Sequence, residues 1–138
     1  MYNMNMKSKL GHIYLYVSDL DKSYSFYKDL LELLGYEQGH KADWGFEFMR
    51  GDTSIWFEQS PKDHNKEGYH RKRIGLNHLA FKLESKTDVD VFNEDFIKVN
   101  KIATLYETPK AFPDYGEDYY AVFFEDPDRI KLEVAYYK

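Results

Sequence analysis

Gly11-His12-Ile13-Tyr14-Leu15-Tyr16-Val17 returns further along the chain as Asn77-His78-Leu79-Ala80-Phe81-Lys82-Leu83. Both segments alternate with a period of two, each carries a histidine at the same place, and each is followed by a helix-like stretch. Successive side chains of a strand face opposite sides of a sheet. Ile13, Leu15 and Val17 therefore share one face, and His12, Tyr14 and Tyr16 the other. In the second segment Leu79, Phe81 and Leu83 oppose His78, Ala80 and Lys82. The aliphatic faces suit packing on a helix, as half-buried strands do, which leaves both imidazoles on a concave inner face. One small module is written twice.

The remainder of each module follows from the same patterns. Ser18 or Asp19 can cap a helix whose apolar positions Leu20, Tyr24, Tyr27, Leu31 and Leu34 recur at spacings of three and four, and Gly35 stops it. Strands are expected around Tyr36 to Gly39, Trp44 to Met49 and Thr53 to Gln59, the last two joined by the Arg50-Gly51-Asp52 turn. After His78 the order recurs. Thr87 or Ser85 caps a helix with Val89, Phe92, Phe96 and Val99 on one face, and strands are expected near Ala103 to Tyr106, at Tyr119 to Glu125 and at Ile130 to Tyr136. Asp126-Pro127-Asp128-Arg129 has the chemistry of a hairpin turn. The expected fold is α+β: one domain over residues 9–137, built of two βαβββ modules at about 9–60 and 76–137. Their curved mixed sheets surround a cavity, with the helices on the outer face. Ser60 to Gly75 links the modules. Glu107 to Asp118 is an inserted loop, and loops at a cavity mouth often carry binding residues.

Composition narrows the function classes. At 138 residues, 43% of them hydrophobic, the chain can bury one core but not two large ones. The absence of cysteine removes disulfides, thiol nucleophiles and thiolate metal sites, so any metal must be held by nitrogen and oxygen. A net charge of −5 argues against broad nucleic-acid binding, which depends on neutralising phosphates. Arg71-Lys72-Arg73 reads as a solvated loop. No apolar run reaches the length of about 18 residues needed to cross a bilayer, and the N-terminus lacks a secretory pattern. A cytoplasmic protein with no membrane partner is expected.

In the last strand Ile130, Leu132 and Val134 form the aliphatic face, so Glu133 projects inward with Lys131 and Ala135. A carboxylate inside an otherwise apolar strand is costly unless it is paired or bound to a cation. In the first module Ile55 and Phe57 face outward, which turns Trp56 and Glu58 inward. Glu58 is the counterpart of Glu133, or Trp56 holds that depth instead. Two histidines with one or two glutamates make a nitrogen–oxygen set suited to one divalent metal: zinc, nickel, manganese, cobalt or iron. Tyr14, Tyr16, Trp56, Lys82 and Lys131 line the expected substrate pocket. His40, His64 and His70 read as surface residues.

These residues together resemble the vicinal oxygen chelate superfamily, which includes glyoxalase I, fosfomycin-resistance transferases, ring-cleaving dioxygenases and bleomycin-binding proteins. The resemblance spans about residues 9 to 137. It rests on the two histidine strands, the Ser18-Asp19-Leu20 stretch with its following helix, and Phe124-Glu125-Asp126-Pro127-Asp128-Arg129-Ile130-Lys131-Leu132-Glu133-Val134. It implies His12, His78 and Glu133 as metal ligands, with Glu58 or Trp56 at the fourth-strand position. Arg129 stands where the family usually has glycine.

The implied activity is that of a metal-dependent glyoxalase I-like lyase or isomerase. It would act on a small carbonyl or hemithioacetal-type substrate through a metal-chelated enediolate, with Glu58 or Glu133 moving the proton. Two alternatives belong to the same superfamily. A non-haem iron dioxygenase could use the same ligands, although ring-cleaving members usually have about twice this length. A metal-free antibiotic-type binding protein would use Tyr14, Tyr16 and Trp56 for stacking. A homodimer is expected.

Overall fold

The computed structural model describes residues 5–138. Strand β1 (His12–Val17) pairs in parallel with β4 (Thr53–Gln59), and β4 continues antiparallel to β3 (Gly45–Arg50) and then β2 (Glu37–Ala42). The second sheet repeats this order. β5 (Leu79–Lys82) lies parallel to β8 (Lys131–Tyr136), followed by β7 (Tyr120–Glu125) and β6 (Thr104–Ala111). The repeat seen in the sequence is thus a repeat of topology, and the fold is two βαβββ modules.

Helix α1 (Leu20–Leu33) starts at Asp19, whose side chain accepts the Lys22 N–H at 3.1 Å. Ser18, the other capping candidate, serves a different purpose. Its N–H donates to Asp128 Oδ2 at 3.0 Å and its hydroxyl to Oδ1, tying the end of β1 to the last hairpin of the second module. Gly35 takes φ +89°, the left-handed geometry that ends helices at glycine. Gly45 has a different necessity: a Cβ there would lie 2.4 Å from the Phe57 carbonyl oxygen across the β3–β4 pair.

Helix α2 (Lys86–Phe92) is capped by Ser85, whose hydroxyl accepts the Asp88 N–H at 3.0 Å, and runs into a π-helical turn, Asn93–Lys98. The wider turn alters the expected apolar face. Val89, Phe92 and Phe96 are buried as their spacing predicts, but Ile97 joins them and Val99 is exposed. β6 also extends into the expected loop. It pairs with β7 on both sides of an irregularity between Leu105 and Lys110, where the buried Thr108 hydroxyl accepts the Phe123 N–H at 2.9 Å. A side chain thus replaces a missing ladder bond, and strand pairing resumes beyond it.

The aliphatic faces of both sheets and the two helices share one core. Phe26 of α1 packs edge-on to Phe96 (5.7 Å), and Tyr36 meets Phe81 across the modules (6.0 Å). Buried Tyr27 donates to Asp126 Oδ2 at 2.6 Å. The histidine-bearing faces point away from this core.

Arg129 adopts φ +66°, left-handed geometry that suits glycine better than a branched chain of atoms. Its contact with Glu125 (3.4 Å) is largely exposed and contributes little. Arg129→Gly is expected to raise stability by about 0.5–1 kcal/mol, the usual cost of left-handed geometry at a non-glycine residue less glycine's extra chain entropy. An unchanged or lower urea midpoint would show that the hairpin carries no strain there.

Candidate metal centre

On β8, alternation puts Leu132 and Val134 into the core and Glu133 on the opposite face, yet Glu133 is only 1% exposed. Both of its oxygens are engaged. Oε1 lies 2.9 Å from His78 Nε2, and Oε2 accepts the Tyr119 hydroxyl. Asn77 orients the imidazole. Its Nδ2 donates to the Arg71 carbonyl (3.3 Å), so its Oδ1 faces His78 Nδ1 at 2.6 Å and accepts the Nδ1 proton. Nε2 is left to face Glu133, where only a proton or a cation can sit between the two donor atoms.

The separation of 2.9 Å matches neighbouring corners of a coordination shell with donor distances of about 2.0–2.2 Å. An outer hydrogen bond to the second ring nitrogen is the usual support of a metal-ligating histidine. This pair therefore fits a divalent cation. Burial and the Glu133 bond push the Tyr119 hydroxyl well above its ordinary pKa, so it stays a donor. Tyr137 stacks on Tyr119 (5.0 Å), and Lys82 Nζ lies 4.5 Å over the Tyr137 ring.

The first module presents a different face. Tyr14 donates to Glu58 Oε1 at 2.6 Å, and that bond pushes the Tyr14 phenol up to about 12. Tyr14, Trp56 and Trp44 form a row of near-parallel rings with centroids 6.2 and 6.1 Å apart. His40 leans on both tryptophans at 5.9 and 5.8 Å, because the irregularity between Gln38 and Lys41 turns it onto this face. Tyr16 meets Tyr14 edge-on at 6.3 Å, and His12 is exposed at the start of β1.

Register bears on the fourth-strand position. Glu133 lies opposite Ala80, two residues after His78, and Trp56 lies opposite Tyr14, two residues after His12. Trp56 thus holds the place that Glu133 holds in its own module. Glu58, opposite Tyr16, is one step further along. His12 and Glu58 do not come together with His78 and Glu133 within the chain. Among the described residues no group of three or more ligating side chains assembles.

Two residues at the site carried no signal in the sequence, and two more were marked only by the loop that holds them. Asn77 and Tyr119 are ordinary polar residues whose roles depend on Glu133 lying opposite them. Phe112 and Tyr115, in the inserted loop, stack at 5.2 Å, with Phe112 against Phe123 and Tyr115 against Tyr119. The basic run divides: Arg71 pairs with Glu125 at 3.0 Å, while Arg73 binds the Glu67 and Gly68 carbonyls.

The sequence pattern of the Glyoxalase/Bleomycin resistance protein/Dioxygenase superfamily matches residues 9–134, and the chain belongs to that family. It is 41% identical over 126 residues to the uncharacterized protein YqjT of Bacillus subtilis (strain 168), covering 91% of this chain and 97% of that one. A solved structure from Bacillus halodurans that carries a provisional glyoxalase name superposes with a TM-score of 0.84 at 38% identity, over 93% of this chain and 95% of that one. Lactoylglutathione lyase from Agrobacterium tumefaciens shares the fold at 23% identity, with a TM-score of 0.67 over 94% of each chain. No helix among the described residues is long and apolar enough to cross a membrane.

Proposed function

We propose that the protein is a metal-dependent glyoxalase I-like lyase or isomerase acting on a small carbonyl or hemithioacetal-type substrate, with a centre completed in a homodimer. The observation that carries this reading is the pair of half-buried His78 and buried Glu133, two donors of different chemistry held face to face and each fixed by a further partner. His12 is the third ligand, supplied by the open first-module face of a second copy. The exposure of Tyr14 (45%) and Trp44 (47%) on that face leaves room for the docked module.

A divalent cation would supply Lewis acidity, stabilising negative charge on two neighbouring substrate oxygens. The protein's own residues do the rest. His78 and Glu133 hold the ion, Asn77 fixes the imidazole, and Tyr119 keeps Glu133 oriented. Glu58 stands one register step from the ligand position, which supports its role as the base that takes the proton next to the carbonyl. A carboxylate not bound to metal is the stronger base, and the Tyr14 hydroxyl aims it. Trp56, Tyr14 and Tyr16 flank the substrate.

Loading the protein separately with zinc, nickel, manganese and ferrous iron is expected to give about one ion per subunit, in a dimer by light scattering, with turnover of hemithioacetals. Glu58→Gln should keep the metal and lose roughly 10²–10⁴-fold in kcat, the usual worth of a general base. Absence of stoichiometric metal would overturn the enzyme reading. The parallel row of Tyr14, Trp56 and Trp44 specifically favours the second reading, a binding protein for flat aromatic molecules, and that result would leave it standing.

A further inference from the structure

Two residues before Glu133, and on the same face of β8, stands Lys131. Its Nζ lies 4.8 Å from the Tyr106 ring centre and 4.9 Å from that of Phe123. Glu125 is the residue opposite Lys131 on β7, but its carboxylate is taken by Arg71 (3.0 Å) and Arg129 (3.4 Å). Two cations therefore share that carboxylate while Lys131 lies over the two rings, in a chain whose net charge is −5. Arg71, Arg129 and Glu125 also line a cavity of about 210 Å³ with His70 and Lys72.

Tyr106 completes the corner. It and Glu107 adopt φ +59° and +57°, a conformation bulky residues rarely take, and outliers of this kind concentrate where a binding group must be aimed. The Lys131 ammonium over its ring, and the Arg71 guanidinium on the carboxylate opposite Lys131, put positive charge beside the Tyr106 phenol, whose pKa lies below its ordinary value. Tyr106 is 46% exposed, so the corner opens to solvent. Phe123 joins it to the metal pair, meeting Tyr106 at 5.4 Å and His78 at 5.9 Å.

We propose that this corner is an oxyanion subsite: Lys131 and Arg71 with the Tyr106 hydroxyl receive a carboxylate or phosphonate group of the substrate, whose remainder extends past Phe123 toward His78. The subsite itself stands on the cationic corner; its link to turnover rests on the metal-centre reading. Charges facing one another across low-dielectric walls focus a field on a compact anion. Arginine and lysine together offer a planar fork and a point charge to its oxygens.

The test uses the metal-free protein, so that failure of the subsite and failure of the metal centre remain distinguishable. Methylphosphonate and acetate are titrated separately at constant ionic strength, following backbone amide resonances. Saturable shifts centred on Arg71, Tyr106 and Lys131 are expected with at least one probe, and the tighter probe names the headgroup chemistry. Lys131→Met should weaken binding roughly 10-fold or more, in line with loss of a charge-assisted contact. Lys131→Arg should retain binding, and Lys110→Met, a cation over Phe112, should behave as wild type. Shifts that fail to saturate or scatter over surface lysines, or a Lys131→Met variant that binds like wild type, would overturn the proposal. Anion binding in a protein that takes no metal would keep the subsite and remove the lyase reading.

Discussion

Glu133→Ala is expected to weaken divalent-metal binding by roughly 100-fold or more, beyond the 10- to 100-fold typical of losing an outer partner. Half of a two-donor pair disappears, and His78 alone on this module cannot compensate. His78→Ala should match it. Asn77→Ala should fall in the outer-partner range, because it frees the imidazole without removing a donor. Competition with a chromophoric chelator reads all three variants.

Glu133→Gln separates a metal role from a structural one. A buried carboxylate is costly unless compensated, and its uncharged isostere often leaves stability little changed. Metal-free Glu133→Gln should therefore unfold within about 1 kcal/mol of wild type while binding metal as poorly as the alanine variant. A large loss of metal-free stability with metal binding intact would mean that Glu133 serves the second sheet's packing instead.

Much of this site was legible because alternation fixes facing. His12, His78 and Glu133 could be assigned to the faces opposite the aliphatic ones from period two alone, and Leu15, Val17, Leu132 and Val134 are buried on those aliphatic faces. Facing is not register, however. Whether Trp56 or Glu58 matches Glu133 depends on which residues of β1 and β4 lie side by side, and the hydrophobic pattern is unchanged by a slip of two. Positions set by irregular backbone were also hidden. His40 reaches the tryptophans through a bulge, Ile97 replaces Val99 through a π-helical turn, and Tyr106 is aimed by left-handed geometry. Each breaks the periodicity on which sequence reading depends. The inserted segment was expected to be loop throughout, but its first part is strand, because Thr108 repairs the β6–β7 ladder from a side chain.

Asp126 gives the second large effect, on stability. It is 5% exposed in the turn between β7 and β8, and burial pushes its pKa up to about 6. The Tyr27 hydroxyl and the Ile130 and Asp128 N–H groups pull the other way, at 2.6, 2.8 and 2.8 Å. The folded state therefore holds this proton more tightly than the unfolded chain, where an aspartate titrates near 3.9. Where the folded state binds more protons, unfolding free energy falls as pH rises. The contribution is complete below about pH 4 and is lost as pH rises through about 6. At about 1.4 kcal/mol per pKa unit, it amounts to about 3 kcal/mol.

Asp126→Asn keeps an oxygen for the two N–H groups and an amide that can donate to the Tyr27 oxygen, and it cannot ionise. Its stability advantage over wild type should grow by about 2 kcal/mol or more between pH 4.5 and 7.5, measured by urea unfolding at fixed protein concentration. Parallel curves for the two proteins would sink the idea. Asp126→Ala removes all three acceptor contacts and strands Tyr27 in the core, so it should cost about 4 kcal/mol even at pH 4.5. Because Tyr27 lies on α1 and Asp126 in the last hairpin, that loss falls on the joint between modules, which also fixes where the two histidine-bearing faces point.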